Sequence, residues 1–144
     1  MTAPEKVTLP FLQADFQKDL QVLFCRWRTP VTLVQFMEGY TAVLQLAGQK
    51  GARFWLHDLR LRNLSGADEQ QWFSAIFIPA LKQTLGSTNF SAYLMSPLQY
   101  EQLIAGAGPE AAGNTCSNCL ALHYFTNEHD ALEWLHLCRH RVAV

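Results

Sequence analysis

"WLHDLRLRNLSGADEQQWF", residues 55–73, decides the fold. Its first half is an apolar, aromatic run ending on Asp58, the end of a short buried strand, "ARFWLHD". Its second half starts a helix. Ser65 has the chemistry of an N-cap, Asp68 falls at the third helical position, and Trp72, Phe73, Ile76, Phe77, Ala80 and Leu81 recur at helical spacing. Pro79 lies inside that stripe and predicts a kink or a break, because it has no N–H to donate. The stretch is thus a strand passing through a short loop into a helix, which is the building unit of an α/β protein.

The same alternation extends in both directions. Upstream, "KVTLPFL" and "LQVLFCRWR" are two strands separated by a polar "QADFQKD" turn, with Pro10 suited to an edge position. Thr32 and Gln35 have capping-box spacing, and Phe36, Tyr40, Val43, Leu44 and Ala47 form the stripe of a helix that Gly48 or Gly51 can end. Downstream, "TNFSAYLMS" is a strand and "PLQYEQLIAG" a short helix, and "AGAGPEAAGNT" is the longest loop. "CLALHYF" is the last strand, and Asn127 caps a final helix with Asp130 three residues on. The order is β-β-α-β-α-β-α-β-α. It predicts one domain over residues 1–144, with a mixed, mostly parallel sheet of four or five strands flanked by helices. Trp27 and Trp55 lie on strands whose two faces are both apolar, so helices should cover both sides. A face left open would instead make a self-association patch, and a homodimer is the corresponding expectation.

In this order and in these residues the chain resembles the SpoIIAA-like group of STAS-type domains, the fold of bacterial anti-sigma-factor antagonists, and in particular its small uncharacterised branch. Trp27, "WLHDLRL" at 55–61, "LSGADEQQWF" at 64–73 with "IPAL" at 78–81, and "HDALEWL" at 129–135 carry the resemblance over nearly the whole chain. It implies a binding or regulatory role, not a known reaction. In the antagonists the loop after an aspartate-bearing strand presents a phosphorylatable serine at a helix N-terminus. Asp58 matches that aspartate, but Leu59 follows it, and Ser65 lies seven residues on. A phosphate on Ser65 would suit a helix N-terminus and could pair with Arg60 and Arg62. Capping alone, however, accounts for the serine.

Asp58, Arg60, Arg62 and Ser65 therefore form the candidate binding site for a protein partner or a small apolar ligand. Asp58 sits at the carboxyl end of a strand, where α/β sheets tend to bind ligands, and it would serve equally well to hold the following loop. The arginines offer donors to a carboxylate or phosphate. The rival reading is a metal- or thiol-dependent protein built on Cys116, Cys119 and His123, which have C-x-x-C spacing and a nearby imidazole. A zinc site would need further ligands from His136, Cys138 or His140 on the last helix, and a redox pair would need to open a helix, whereas this pair precedes a strand. His129, Glu133, His136 and His140 share one stripe of that helix, opposite the apolar side centred on Ala131 and Leu135, and are expected to face water.

No nucleophile elbow, zincin helix, phosphate loop or dinucleotide fingerprint occurs, so the expectation is a non-enzymatic domain without a cofactor. The net charge is −1 with the basic residues dispersed, which argues against nucleic acid as a partner. No apolar run approaches the length of a membrane span, and the N-terminal residues lack the pattern of a secretory signal, so a cytoplasmic setting is expected. Cys25, in mid-strand, reads as a small buried hydrophobe.

Overall fold

A computed structural model describes residues 6–86, 88–107, 115, 116 and 119–143. It begins as an antiparallel meander of three strands, β1 (Lys6–Leu9), β2 (Leu12–Gln17) and β3 (Val22–Trp27). Two N-terminal strands with a polar turn at residues 13–19 were expected, and the structure corrects this. The supposed turn is the body of β2, because Leu12, Ala14 and Phe16 point inward while Gln13, Asp15 and Gln17 point out, a period of two despite the polar composition. Pro10 lies in the tight turn that pairs Leu9 with Leu12, not within a strand. The β2–β3 turn closes on Gln21, whose φ of 56° is in the left-handed region.

Helix α1 (Leu33–Lys50) follows with the expected capping box. Thr32 Oγ1 accepts from the Gln35 N–H at 3.2 Å, and Gln35 Oε1 accepts from the Thr32 N–H at 3.0 Å. Gly51 ends it at φ 63°. Then come β4 (Phe54–Asp58), α2 (Ala67–Trp72), a π-helical turn (Phe73–Phe77), α3 (Ile78–Leu85), β5 (Asn89–Leu94) and α4 (Pro97–Ala107). The two-residue β6 (Thr115–Cys116), β7 (Leu120–Phe125) and α5 (Glu128–Ala143) complete the chain.

The break expected at Pro79 is the π-helical turn just before it. The Ile78 N–H bonds to the Phe73 carbonyl, widening the helix, and Pro79 falls in the first turn of α3, where its missing N–H costs nothing. Ser65 is not the cap of α2. Gly66 takes that place in an extended conformation, and its N–H donates to Glu69 Oε2 at 3.1 Å. The carboxylate at the third helical position does the capping, and the serine hydroxyl is left to Arg62.

The sheet order is β1-β2-β3-β4-β5-β7-β6. Its centre, β3-β4-β5-β7, is parallel, while β1, β2 and β6 pair antiparallel at the two edges. The architecture is α/β with a mixed sheet flanked by helices. Strand count and order differ from the four or five mostly parallel strands expected, because β2 and β6 are added and half of the pairings are antiparallel.

Alternation along the strands divides the core in two. On one face Leu12, Leu23, Trp27, Trp55 and Tyr93 pack beneath α1, the α2–α3 segment and α4. On the other, Val22, Phe24, Leu56, Ala92 and Leu94 meet Ala131 and Leu135 of α5. Burying one such large apolar side chain contributes roughly 1.5–3 kcal/mol, so both layers are needed. Among the described residues no helix is long and apolar enough to cross a membrane.

Candidate functional site

The end of β4 and the segment that leads from it to α2 carry all four of the site residues read from the sequence, and they lie on different faces of the sheet. Asp58 ends β4 on the α5 face and is 7% exposed. Its register partner Arg26 donates to Oδ2 at 2.9 Å, and Arg60 grips both oxygens, with Nε to Oδ1 at 2.9 Å and Nη2 to Oδ2 at 2.8 Å. The Arg60 backbone N–H adds a bond to Oδ1 at 3.2 Å, so the carboxylate also holds the loop. Arg26 reaches on to Glu128 at the start of α5, also at 2.9 Å. Burial alone would raise the Asp58 pKa, but the bonds from Arg60 and Arg26 outweigh it and hold the carboxyl below its ordinary value. The four charges neutralise one another as a tie between β3, β4 and α5.

Arg62 and Ser65 lie on the opposite side of the sheet, under α1. The Arg62 side chain is 4% exposed, and its guanidinium lies 4.7 Å from the Trp27 ring and 5.2 Å from the Phe36 ring. Nε donates to the Asn63 carbonyl and Nη2 to Ser65 Oγ, each at 3.3 Å, and Nη1 has no acceptor. No ion pair to Arg62 occurs among the described residues. Its backbone is clamped from α4. Ser96 and Gln99 form a reciprocal cap at the start of that helix, and Gln99 Nε2 donates to the carbonyls of Leu59 and Arg62, both at 2.8 Å.

Arg62 forms part of the wall of a cavity of about 600 Å³ between the sheet and the helices. α1 contributes Phe36 and Tyr40, the α2–π segment Gln70, Phe73 and Ser74, and α4 Gln102, Leu103 and Gly106. The floor is Tyr93 and Met95 beside Leu122 and Tyr124 of β7, and the loop supplies Leu59, Leu64 and Ser65. This size falls within the roughly 300–1,000 Å³ of small-molecule clefts, and the lining is mostly apolar and aromatic with a few polar groups, as in such clefts. Tyr40 and Tyr93 share a hydrogen bond between their hydroxyls at 2.8 Å.

Beneath the cavity lies His57, fully buried and stacked on Tyr40 with ring centroids 5.1 Å apart. Nδ1 accepts from the Trp27 indole N–H at 3.1 Å, which places the ring proton on Nε2, an atom without a partner. Desolvation, and then the nearby Arg62 charge, lower its pKa to about 3, so the ring is neutral.

The rival site is not gathered. Cys119 is buried against α3, its Sγ 3.6 Å from the Ile78 carbonyl, whereas His123 stacks on Phe125 and packs at a tilt against Trp134 on the α5 face. The side chain of Cys116 lies outside the described residues. Among the described residues no group of three or more histidine, cysteine or acidic side chains is placed to hold a metal. The stripe on α5 is exposed, with His129 3.6 Å from Glu133 and the Nε2 atoms of His136 and His140 3.1 Å apart. Burial raises the thiols of Cys25, Cys119 and Cys138 and so disfavours thiolates, with Asp15 adding to the effect at Cys25.

Sequence reasoning passed over Tyr93, His57 and Gln99. Only Gln99 had a legible signal, since Ser96-Pro-Leu-Gln99 has capping-box spacing. No family model matches the chain, and comparison with curated proteins and with solved structures likewise yields no match.

Proposed function

We propose that this protein is a non-enzymatic binding domain, STAS-like in its central strand–helix units, that takes a small, largely apolar molecule into the cavity under α1. The single observation that carries the reading is a cavity of about 600 Å³ walled by aromatic and aliphatic side chains from five different elements and the loop after β4. The chemistry around it supports binding over reaction. His57 is neutral and sealed, the described thiols are buried, and Asp58 is fully engaged by two arginines.

A neutral fluorescent reporter such as N-phenyl-1-naphthylamine tests the reading. Saturable, one-to-one enhancement is expected, and it should vanish in Gly106→Phe. Gly106 lines the cavity and a Cβ on it meets nothing within 4 Å, so a bulky ring can be added at the cavity's edge without displacing its wall. Absence of saturable binding, or binding unchanged in Gly106→Phe, overturns it.

A further inference from the structure

Resting on that reading, we infer that the molecule bound in the cavity is a monocarboxylate, its apolar body among the aromatic side chains and its carboxylate on the guanidinium of Arg62.

The inference starts from an imbalance of charge. A guanidinium carries five N–H donors and a charge that cannot be titrated away, and burying it without an anion is unfavourable. At 4% exposure, Arg62 makes only two side-chain hydrogen bonds, both at 3.3 Å and both to neutral oxygens, and Nη1 makes none. Of the acidic groups near it in sequence, Asp58 is held by Arg26 and Arg60 on the far face of the sheet and Glu69 accepts from the Gly66 N–H. No acidic side chain among the described residues pairs with Arg62. Trp27 and Phe36 lie against the guanidinium at 4.7 and 5.2 Å and partly substitute for solvent, but neither supplies the missing charge.

The same facts define the class of anion. Arg62 is the one charged side chain among the described residues that line the cavity, so one negative charge is balanced and a second is not. That favours a carboxylate over a phosphate dianion. The rings against the guanidinium leave its edge for hydrogen bonding, and a carboxylate is the planar acceptor that matches such an edge. Both bonds now holding that edge are long, so little is lost when it turns toward the ligand, and Ser65 and Gln70 line the cavity as neutral donors for the same head group. The Gln99 clamp on the Arg62 carbonyl keeps the residue in register at the cavity wall.

Displacement of the naphthylamine reporter by decanoate, decanol and decyl phosphate tests this. Decanoate should displace it at least roughly tenfold more tightly than decanol, the increment expected of one charge-assisted pair in a dry site. Arg62→Gln should bring decanoate and decanol to equal affinity while the neutral reporter still binds. Equal affinities on the native protein, a preference that survives Arg62→Gln, or decyl phosphate binding more tightly than decanoate overturns the carboxylate assignment and leaves the cavity reading standing. Failure of the reporter itself to bind removes both. If Arg62→Gln does not fold, the comparison on the native protein decides alone.

Discussion

The indole N–H of Trp27 donates to Nδ1 of His57 across 3.1 Å, joining the last residue of β3 to the penultimate residue of β4 beneath the cavity. The bond holds a neutral imidazole where a charged one would face Arg62, and it links the layer beneath the cavity to the ring on which the guanidinium lies. Stability, pH response and ligand selection therefore meet at one pair.

The first prediction concerns pH. Folding lowers the His57 pKa from 6.5 to about 3, so between those values the unfolded chain binds a proton that the folded chain refuses. The contribution is fully present above pH 6.5 and is lost as pH falls toward 3. Between pH 6.5 and about pH 4.5 this should cost roughly 2–3 kcal/mol, before Asp58, held below 3.8, begins to titrate. His123, also lowered by partial burial, adds a smaller slope in the same direction. Urea denaturation across that window should show the decline, and His57→Gln should remove most of the slope. A flat profile for the native protein rejects the neutral, buried assignment.

The second concerns Gly39 in the middle of α1. A Cβ there would lie 2.6 and 2.9 Å from two ring carbons of Trp27, a fully enclosed side chain. Alanine is the better helix former by roughly 1 kcal/mol, yet overpacking of this kind costs about 1–3 kcal/mol. The clash should win because Trp27 is hemmed in by Phe11, Phe36, Tyr40 and His57. Gly39→Ala should be less stable in urea than the native protein, and Gly48→Ala, which meets only a Thr84 methyl at the end of a side chain, should fall less.

Strong periodic signals were legible in the sequence and weak ones were not. The Thr32–Gln35 capping box, a helix end at Gly48 or Gly51 (the structure uses Gly51) and the aromatic run of β4 stood out because each rests on local chemistry. β2 was hidden because Gln13, Asp15 and Gln17 look like a turn unless alternation is weighed above polarity. Arg60 and Arg62 were grouped as one site because they are neighbours in sequence. Only the change of face after β4 shows that Asp58 binds the first while the aromatic layer under α1 takes the second.

That separation yields the third prediction. Asp58→Asn removes the charge that Arg26 and Arg60 share, and since both arginines remain partly hydrated the loss should be modest, about 1–2 kcal/mol. Because the network lies on the face away from the cavity, reporter affinity should change by less than about twofold, as expected for independent sites. A tenfold or greater loss of reporter binding in a folded Asp58→Asn protein would show that the two sites are coupled after all.

The fourth prediction tests the clamp that fixes the loop. Gln99 caps α4 through its Oε1 while its amide nitrogen bonds to the carbonyls of Leu59 and Arg62, so one side chain ties the helix start to the cavity wall. Gln99→Ala removes the side-chain half of the reciprocal cap, while Ser96 Oγ still accepts from the backbone N–H of residue 99. It also leaves two partly buried carbonyls without this donor, and the combined cost is roughly 2–3 kcal/mol. The loss should be local before it is global. The Arg62 N–H, bonded to the Leu59 carbonyl at 3.0 Å, should exchange with solvent faster in Gln99→Ala, while amides in the β4–β5 ladder slow or quicken only with overall stability. Gln99→Glu separates the two roles. Its carboxylate keeps an acceptor for the Ser96 N–H but has no hydrogen to give the loop, so it should preserve the cap and still release Arg62. Exchange at Arg62 that is unchanged in both variants would mean that the ring contacts with Trp27 and Phe36, and not the clamp, hold the arginine in place.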